Sequence, residues 1–256
     1  MTTKKNFRIA LCQMNIAPGK IAANVSCAEA AVREAAKGGA DMIALPEMWA
    51  TGFDFSQIAE YRQSLELREL EARLGTLAAT LRVNVAAGSW LHFDDKDAAS
   101  NRAHFFDSRG RHLAHYDKTH LFAPMEEDLF LTEGKGPRVF ESEFGKTAMA
   151  ICYDLRFADI FAAAAREGCK MMLVNAAWPA ERVAAMVELA GLRARENACL
   201  VVVVNCVSPR EPEAMSNDYV SPIFGGRSCV FGPKGQELFV APQCAGGIYF
   251  IDIVGD

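Results

Sequence analysis

The chain has 256 residues, about half of them hydrophobic, and a formal net charge of −5 at pH 7. Domains usually contain about 50 to 250 residues, so this length predicts a single domain over residues 1–256 with a sizeable core. Acidic and basic residues are mixed along the chain and form no basic block, which argues against nucleic acid as a partner.

Targeting and cofactor signals are not found in the sequence. The first residues contain two lysines but no apolar stretch followed by a small-residue cleavage site, so no signal peptide is expected. No apolar run approaches the ~20 residues that a membrane span requires, and we expect a cytoplasmic protein without a membrane partner. The eight cysteines form no C-x-x-C pair and the histidines no H-x-x-x-H pair, so neither a metal nor another cofactor is predicted.

The first half of the chain predicts a β-α-β-α-β-β unit followed by one more strand. Hydrophobic periodicity and turn residues predict strands at 7–14, 41–45, 83–90, 102–107 and 111–116. Helical spacing predicts helices at 21–37 and 61–81, and we expect the second helix to be broken or bent near Gly75. Residues 122–138 form an irregular segment that follows directly on the last strand.

The second half repeats the same order of elements. Strands are predicted at 146–151, 171–174, 200–206, 227–231, 237–241 and 248–253, and helices at 158–167 and 184–198. Segment 37–49 aligns with 167–178, and segment 105–113 aligns with 230–238. Residues 208–226 form the longest irregular segment, of a kind that is usually functional or mobile.

Two such units predict an α/β fold with four layers. Each unit is a sheet with helices on one face, and the two bare faces can be buried against each other. The result is an α-β-β-α sandwich with an internal pseudo-two-fold repeat. The rival fold, one doubly wound sheet, is disfavoured by the predicted hairpins around Gly110 and Gly235.

Three residues that can perform chemistry follow predicted strands. Cys152 lies between a strand and a helix, where helix N–H groups and the helix dipole favour a thiolate. Glu47 could take the thiol proton, and Lys118 could stabilise the thiolate and an oxyanion. On spacing alone, Glu47 and Lys118 could equally be surface charges.

Three segments resemble the catalytic motifs of the nitrilase superfamily of carbon–nitrogen hydrolases. They are ALPEMWATGF (44–53), YDKTHLF (116–122) and AICYDLRF (150–157), in the order typical of that family. The resemblance implies an α-β-β-α sandwich and a Glu-Lys-Cys triad, with Glu47 as base, Lys118 as the lysine and Cys152 as nucleophile. The family also has a second glutamate, for which Glu127 fits the spacing better than Glu126.

The segments CYDLRF (152–157), NAAWPAERV (175–183) and RARENACLVVVVNCV (193–207) are most similar to the omega-amidase-like branch. This resemblance implies hydrolysis of a small ω-amide of a dicarboxylic acid through a Cys152 thioester, with release of ammonia. It also implies a homodimer or higher homo-oligomer. The alternatives are a nitrilase or N-carbamoyl-amine amidohydrolase with the same triad, a cysteine–histidine hydrolase, and a binding protein without catalysis.

Four further residues are candidates for binding the substrate. Tyr153, Trp178 and Phe122 are aromatic residues near the predicted strand ends and could form the pocket walls, although each could instead belong to the core. Arg156 could bind a substrate carboxylate through bidentate hydrogen bonds. An ion pair between Arg156 and the nearby Asp154 is the simpler expectation.

Overall fold

A computed structural model describes residues 6–208 and 222–255 of the chain. The first half contains five strands and three helices, which are β1 (Phe7–Gln13), α1 (Ile21–Lys37), β2 (Met42–Ala44), α2 (Ile58–Gln63), α3 (Leu65–Leu81), β3 (Asn84–Phe93), β4 (Ala99–Phe106) and β5 (His112–Asp117). The second half contains the remaining elements, which are α4 (Glu127–Phe130), β6 (Phe140–Ser142), β7 (Gly145–Ile151), α5 (Ala158–Arg166), β8 (Met171–Ala176), α6 (Val183–Asn197), β9 (Leu200–Asn205), β10 (Cys229–Phe231), β11 (Glu237–Val240) and β12 (Gly247–Ile253).

The strands form two six-stranded sheets that share one topology. The first sheet has the order β12-β1-β2-β3-β4-β5, and the second has the order β11-β10-β9-β8-β7-β6. In the first sheet β1, β2 and β3 are parallel, and β4 and β5 are added antiparallel. In the second sheet β7, β8 and β9 are parallel, and β10 and β11 are added antiparallel. The predicted internal repeat is therefore confirmed at the level of strand order and direction.

Three separate apolar clusters define the four layers. One cluster joins the first sheet to α1 and α3, and includes Val32, Leu74 and Val85. A second lies between the sheets and combines residues of both, such as Leu11 and Leu173. The third joins the second sheet to α5 and α6. Helix, sheet, sheet and helix thus follow in that order, and the predicted α-β-β-α sandwich is confirmed.

The predicted bend at Gly75 is wrong. The helical segment is interrupted at Ser64, which separates α2 from α3 and whose hydroxyl caps α3 by accepting a hydrogen bond from Leu67 N–H at 3.4 Å. Gly75 lies within α3, where an added Cβ would be 3.0 Å from the Gly110 carbonyl oxygen. Gly110 has φ +78° in the turn between β4 and β5. The glycine pair therefore allows a helix to pack directly on a hairpin turn.

Several strand boundaries differ from the predictions by two or three residues, and one strand was not predicted. Strand β4 begins at Ala99, three residues before the predicted start. The prediction started too late because the polar residues Ser100 and Asn101 interrupt the apolar pattern in the sequence. The short edge strand β6 was not predicted. The irregular segment 122–138 contains α4, and residues 209–221 of the predicted loop 208–226 lie outside the described residues. Within the described ranges, no helix is long and apolar enough to cross a membrane.

Candidate active site

The three motif residues follow three different strands and meet in one cavity. Glu47 lies in the turn after β2, Lys118 directly follows β5, and Cys152 directly follows β7. A cavity of about 380 Å³ is lined by all three side chains. In α/β sheets functional groups gather beyond the carboxyl ends of strands, and this arrangement follows the same rule. The structure therefore brings together residues that are 71 and 34 positions apart.

Cys152 adopts a backbone conformation that is rare for a residue with a side chain. Its φ is +48°, and it begins a 3₁₀ turn that extends from Cys152 to Arg156. Left-handed backbone at a non-glycine residue costs on the order of 1–3 kcal/mol and is found at functional sites. The sharp turn after β7 leaves Cys152 partly exposed to the cavity, whereas the preceding Ile151 is fully buried.

Asp154 holds this turn against the loop that carries Lys118. Its buried carboxylate accepts hydrogen bonds from Ile151 N–H at 3.0 Å and from Tyr116 O–H at 2.7 Å. The other carboxylate oxygen accepts from His120 N–H at 2.9 Å and contacts His120 Nδ1 at 2.8 Å. Tyr116 and His120 lie on either side of Lys118 in sequence. One carboxylate thus links the Cys152 turn to the Lys118 segment.

A buried ammonium and two buried carboxylates form the floor of the cavity. Lys118 Nζ lies 2.9 Å from Glu47 Oε1 and 2.8 Å from Glu127 Oε1. All three side chains are at most 1% exposed. Glu127 Oε2 also accepts a hydrogen bond from Phe122 N–H at 2.7 Å. The neighbouring Glu126 is exposed, so of the two adjacent glutamates Glu127 is the one that lies in this cluster.

Asn101 belongs to this cluster and was missed by the sequence analysis. Its side-chain N–H group donates to Glu47 Oε1 at 2.9 Å and to Glu127 Oε1 at 3.4 Å. Its backbone carbonyl accepts from Lys118 N–H at 2.9 Å. Asn101 precedes the predicted start of β4 at residue 102, so no sequence signal pointed to it.

The environment shifts the pKa of each motif residue. Burial raises the pKa of Glu47; Lys118 opposes this increase and Glu127 adds to it. Burial alone would lower the pKa of Lys118, but the carboxylates of Glu127 and Glu47 outweigh burial and raise it, so the ammonium stays charged. Oε2 of Glu47 is buried and has no formed hydrogen bond within the described part of the chain. Glu47 therefore has one carboxylate oxygen available to accept a proton.

The expectation that Cys152 is a thiolate is wrong for the protein without substrate. Burial and the negative charge of Glu47 raise the pKa of the Cys152 thiol well above its usual range, and Lys118 offsets only part of this increase. The helix that was expected to favour the thiolate begins at Ala158, six residues beyond the cysteine. Cys152 is consequently a thiol at rest and lies within hydrogen-bonding reach of Glu47.

The cavity walls contain the four residues that were candidates for binding substrate. Phe122 and Tyr153 contact each other with ring centroids 4.9 Å apart, and Trp178 lies nearby on the wall. The Arg156 guanidinium lies over the Trp178 ring, 4.8 Å from its centroid. The expected ion pair between Arg156 and Asp154 is wrong, because Asp154 is occupied by four other donors.

The cavity has further lining residues that were not predicted. Its described lining also bears on the predicted alternative of a cysteine–histidine hydrolase. Arg182, from a short 3₁₀ turn before α6, adds a second guanidinium to the cavity lining. Phe53, Met125 and Pro179 contribute apolar surface. No histidine lies among the described lining residues, so a cysteine–histidine pair has no base there.

Comparison with known proteins decides the family. A family profile described as carbon-nitrogen hydrolase matches residues 8–254. The chain belongs to the carbon–nitrogen hydrolase family. This membership confirms the predicted superfamily and the predicted enzyme class.

Relatives of this carbon–nitrogen hydrolase cover most of its length. The 2-oxoglutaramate amidase of Bacillus subtilis is 30% identical over 91% of the chain and 85% of its own length. The omega-amidase NIT2 of Homo sapiens is 29% identical over 91% of the chain and 83% of its own length. A crystal structure of an amidase from Nesterenkonia sp. superposes with a TM-score of 0.85 at 25% identity, covering 100% of this chain and 94% of that chain.

Proposed function

We propose that the chain is an amidase that hydrolyses the ω-amide of a small dicarboxylic acid and releases ammonia. The observation that carries this proposal is one cavity with Cys152, Glu47 and Lys118 at its floor and, on its wall, the guanidinium groups of Arg156 and Arg182, which form no ion pair with a described carboxylate. The relatives named 2-oxoglutaramate amidase and omega-amidase support the same substrate class. The cavity volume of about 380 Å³ suits a small aliphatic acid.

The first step of the proposed mechanism is attack by Cys152 on the amide carbon. Glu47 Oε2, the oxygen without a hydrogen bond, accepts the thiol proton as sulfur forms its bond to carbon. Because the resting thiol is neutral, the proton moves to Glu47 as the sulfur attacks, and burial raises the pKa of both groups. The amide oxygen becomes an oxyanion.

Two groups stabilise that oxyanion in the proposal. The Lys118 ammonium lies on the cavity floor, and Tyr153 N–H belongs to the first residues of a helical turn, whose N–H groups have no partner within the turn. Asn101 positions Glu47 through one hydrogen bond, and Glu127 positions Lys118 through another. Removal of one preorganised donor of this kind typically lowers kcat by about 10²–10³.

The remaining steps release ammonia and restore the enzyme. Protonated Glu47 gives its proton to the amide nitrogen, the C–N bond breaks, and ammonia leaves a thioester on Cys152. Glu47, again a carboxylate, removes a proton from water, whose oxygen attacks the thioester carbon. Collapse of this second tetrahedral intermediate breaks the C–S bond, and the sulfur recovers its proton from Glu47. A variant of the Nesterenkonia amidase to which acrylamide has added at its active-site cysteine supports a nucleophilic role for the equivalent sulfur.

Arg156 is proposed to bind the distal carboxylate of the substrate. Its guanidinium forms no ion pair with a described carboxylate, and it is packed against Trp178, which fixes its position. The exposed Arg182 lies at the same cavity and provides a second positive charge. A neutral aliphatic amide would leave both charges without a partner in the complex.

A paired substrate test examines this proposal. Glutaramate carries an amide and a distal carboxylate, whereas butyramide carries the amide alone. Charged hydrogen bonds contribute about 1.5–3 kcal/mol each, so Arg156→Met should lower kcat/KM for glutaramate by about 10- to 100-fold and leave butyramide unchanged. Equal losses for both amides would contradict carboxylate recognition. Ammonia release in equal amount to the carboxylic acid, without carbon dioxide, would exclude an N-carbamoyl substrate; failure to hydrolyse any amide would contradict the proposed function.

The quaternary state and domain organisation stay predictions. From the family resemblance we propose a homodimer, which light scattering of the purified chain tests directly. We also propose one domain over residues 1–256, which should unfold in a single transition at fixed protein concentration. Separate thermal transitions for the two halves would contradict the single domain.

A further inference from the structure

A second cluster of potential ligand atoms lies on the opposite face of the first sheet. Side chains alternate along a strand, so Asn101 of β4 points to the catalytic cavity whereas His104 of β4 points to the helix layer. His104 is 1% exposed and stacks on Trp90, with centroids 3.9 Å apart and planes 5° apart. His112 of β5 and Glu71 of α3 meet it there.

The three side chains present ligand atoms within a small volume. His104 Nδ1 lies 3.2 Å from His112 Nε2 and 3.8 Å from Glu71 Oε2. One ligand atom from each residue can be chosen so that all lie within 4.8 Å of one another. Within residues 6–208 and 222–255, this is the one such group of three histidine, cysteine or acidic side chains.

We propose that Glu71, His104 and His112 form a binding site for a divalent transition metal ion, with zinc as the ion best matched. Zinc binds histidine nitrogen at about 2.0–2.1 Å in tetrahedral geometry, which places two nitrogen ligands about 3.3 Å apart. The observed separation of 3.2 Å between His104 Nδ1 and His112 Nε2 is close to this value. Two imidazoles and one carboxylate leave the fourth coordination position to water.

The surroundings of the site hold the ligands in place before a metal binds. The His104 ring packs against Trp90 and Phe106, and the Phe106 ring is nearly parallel to it with a centroid separation of 6.3 Å. The position of His104 Nδ1 is therefore set by the packing of its ring on these two neighbours.

The expected consequence is structural, because each ligand comes from a different element. Glu71 belongs to α3, His104 to β4 and His112 to the edge strand β5. A bound ion would join the helix to the sheet edge one turn before Gly75, where α3 already packs on the β4–β5 turn. The catalytic cavity is on the other face, so the ion should raise thermal stability without taking part in hydrolysis.

The alternative is that the three side chains are linked only by hydrogen bonds and bind no metal. His112 Nδ1 lies 3.1 Å from Glu71 Oε1, so His112 could donate to Glu71 and accept from His104. Titration of the full chain with Co²⁺ distinguishes the two accounts, because the cobalt absorption spectrum separates nitrogen and oxygen ligands from thiolates. The informative variants are His112→Gln and Glu71→Gln, both at sites that reach solvent. His115→Gln, an exposed histidine on the same strand, is the matched control.

We expect one equivalent of Co²⁺ per chain with no thiolate charge-transfer band. Loss of a group that orients or ligates a metal typically weakens metal binding by about 10- to 100-fold. His112→Gln and Glu71→Gln should each weaken Co²⁺ binding by this factor, whereas His115→Gln should bind Co²⁺ as tightly as the unmodified chain. Zn²⁺ should raise the Tm of the unmodified chain and the control but not of His112→Gln, and all variants should hydrolyse substrate at the unmodified rate. The proposal is overturned if the unmodified chain binds no stoichiometric Co²⁺, if the spectrum shows thiolate ligands, or if His112→Gln binds as tightly as the unmodified chain.

Discussion

Replacement of Glu127 by glutamine isolates the role of the second carboxylate. In the structure Glu127 Oε1 accepts from the Lys118 ammonium at 2.8 Å and from the Asn101 side-chain N–H at 3.4 Å, and Glu127 Oε2 accepts from Phe122 N–H at 2.7 Å. A glutamine side chain has one acceptor oxygen, so its N–H₂ group must face one of these donors. Removing one partner from a buried ion pair destabilises by about 3–5 kcal/mol. Because Lys118 keeps Glu47, we expect the lower end of that range.

The same change should lower catalysis through the position of Lys118. Loss of one preorganised electrostatic group corresponds to about a 10²–10³-fold decrease in kcat, and we expect a decrease of about 100-fold here. Glu127 also raises the pKa of Glu47, so Glu127→Gln should move the acid limb of the pH profile of kcat/KM to lower pH. A purely structural role for Glu127 would not produce that shift.

The assay compares Glu127→Gln with the adjacent Glu126→Gln. Both remove one negative charge from the same loop, but Glu126 is exposed and contacts neither Lys118 nor Glu47. Ammonia release over a range of pH gives kcat/KM, and urea unfolding gives the free energy of unfolding. The account predicts that Glu126→Gln behaves as the unmodified chain. Equal losses in both variants, or full activity in Glu127→Gln, would refute the reasoning.

Three further predictions concern the remaining groups around Glu47. The unmodified enzyme should lose kcat/KM on the acid side at a pH above the ordinary glutamate range, because buried Glu47 must be ionised to accept the thiol proton; an acid limb near pH 4 would contradict this. Asn101→Ala removes a donor to the Glu47 carboxylate and should move that limb to higher pH, opposite in direction to Glu127→Gln; a shift of the same sign would be inconsistent. Asp154→Asn preserves shape but loses charge-assisted bonds to His120, so it should lower both stability and the rate of Cys152 alkylation by iodoacetamide; unchanged alkylation would show that Asp154 does not position the sulfur.

The layered architecture could be predicted because its signals are local and repeated. Alternation and helical spacing identify the elements other than β6 and α4, and the alignment of 105–113 with 230–238 indicates that two units share one order of elements. The structure shows the same repeat in its glycine contacts. Gly191 and Gly235 make a close helix-to-turn contact in the second half, as Gly75 and Gly110 do in the first half. The function of Gly75 was nevertheless misjudged, because the contacting carbonyl is 35 residues away and has no local signal.

The site was accessible from sequence only where a motif marks it. Glu47, Lys118 and Cys152 lie in three recognisable segments, and the spacing after Lys118 already favoured Glu127. Asn101 has no motif, and its partners are set by the pairing of β4 with β5. The protonation state of Cys152 depends on burial and on charges from distant segments, and neither quantity can be calculated from the order of residues.

Mass spectrometry of the enzyme during turnover tests the central claim most directly. Acid quenching of the enzyme with glutaramate should trap a chain whose mass is increased by the glutaryl group, and proteolysis should locate that group on the peptide that contains Cys152. The Cys152→Ala variant should release no ammonia and show no adduct. Ammonia release without any adduct in the unmodified chain, or an adduct on a different peptide, would contradict covalent catalysis by Cys152.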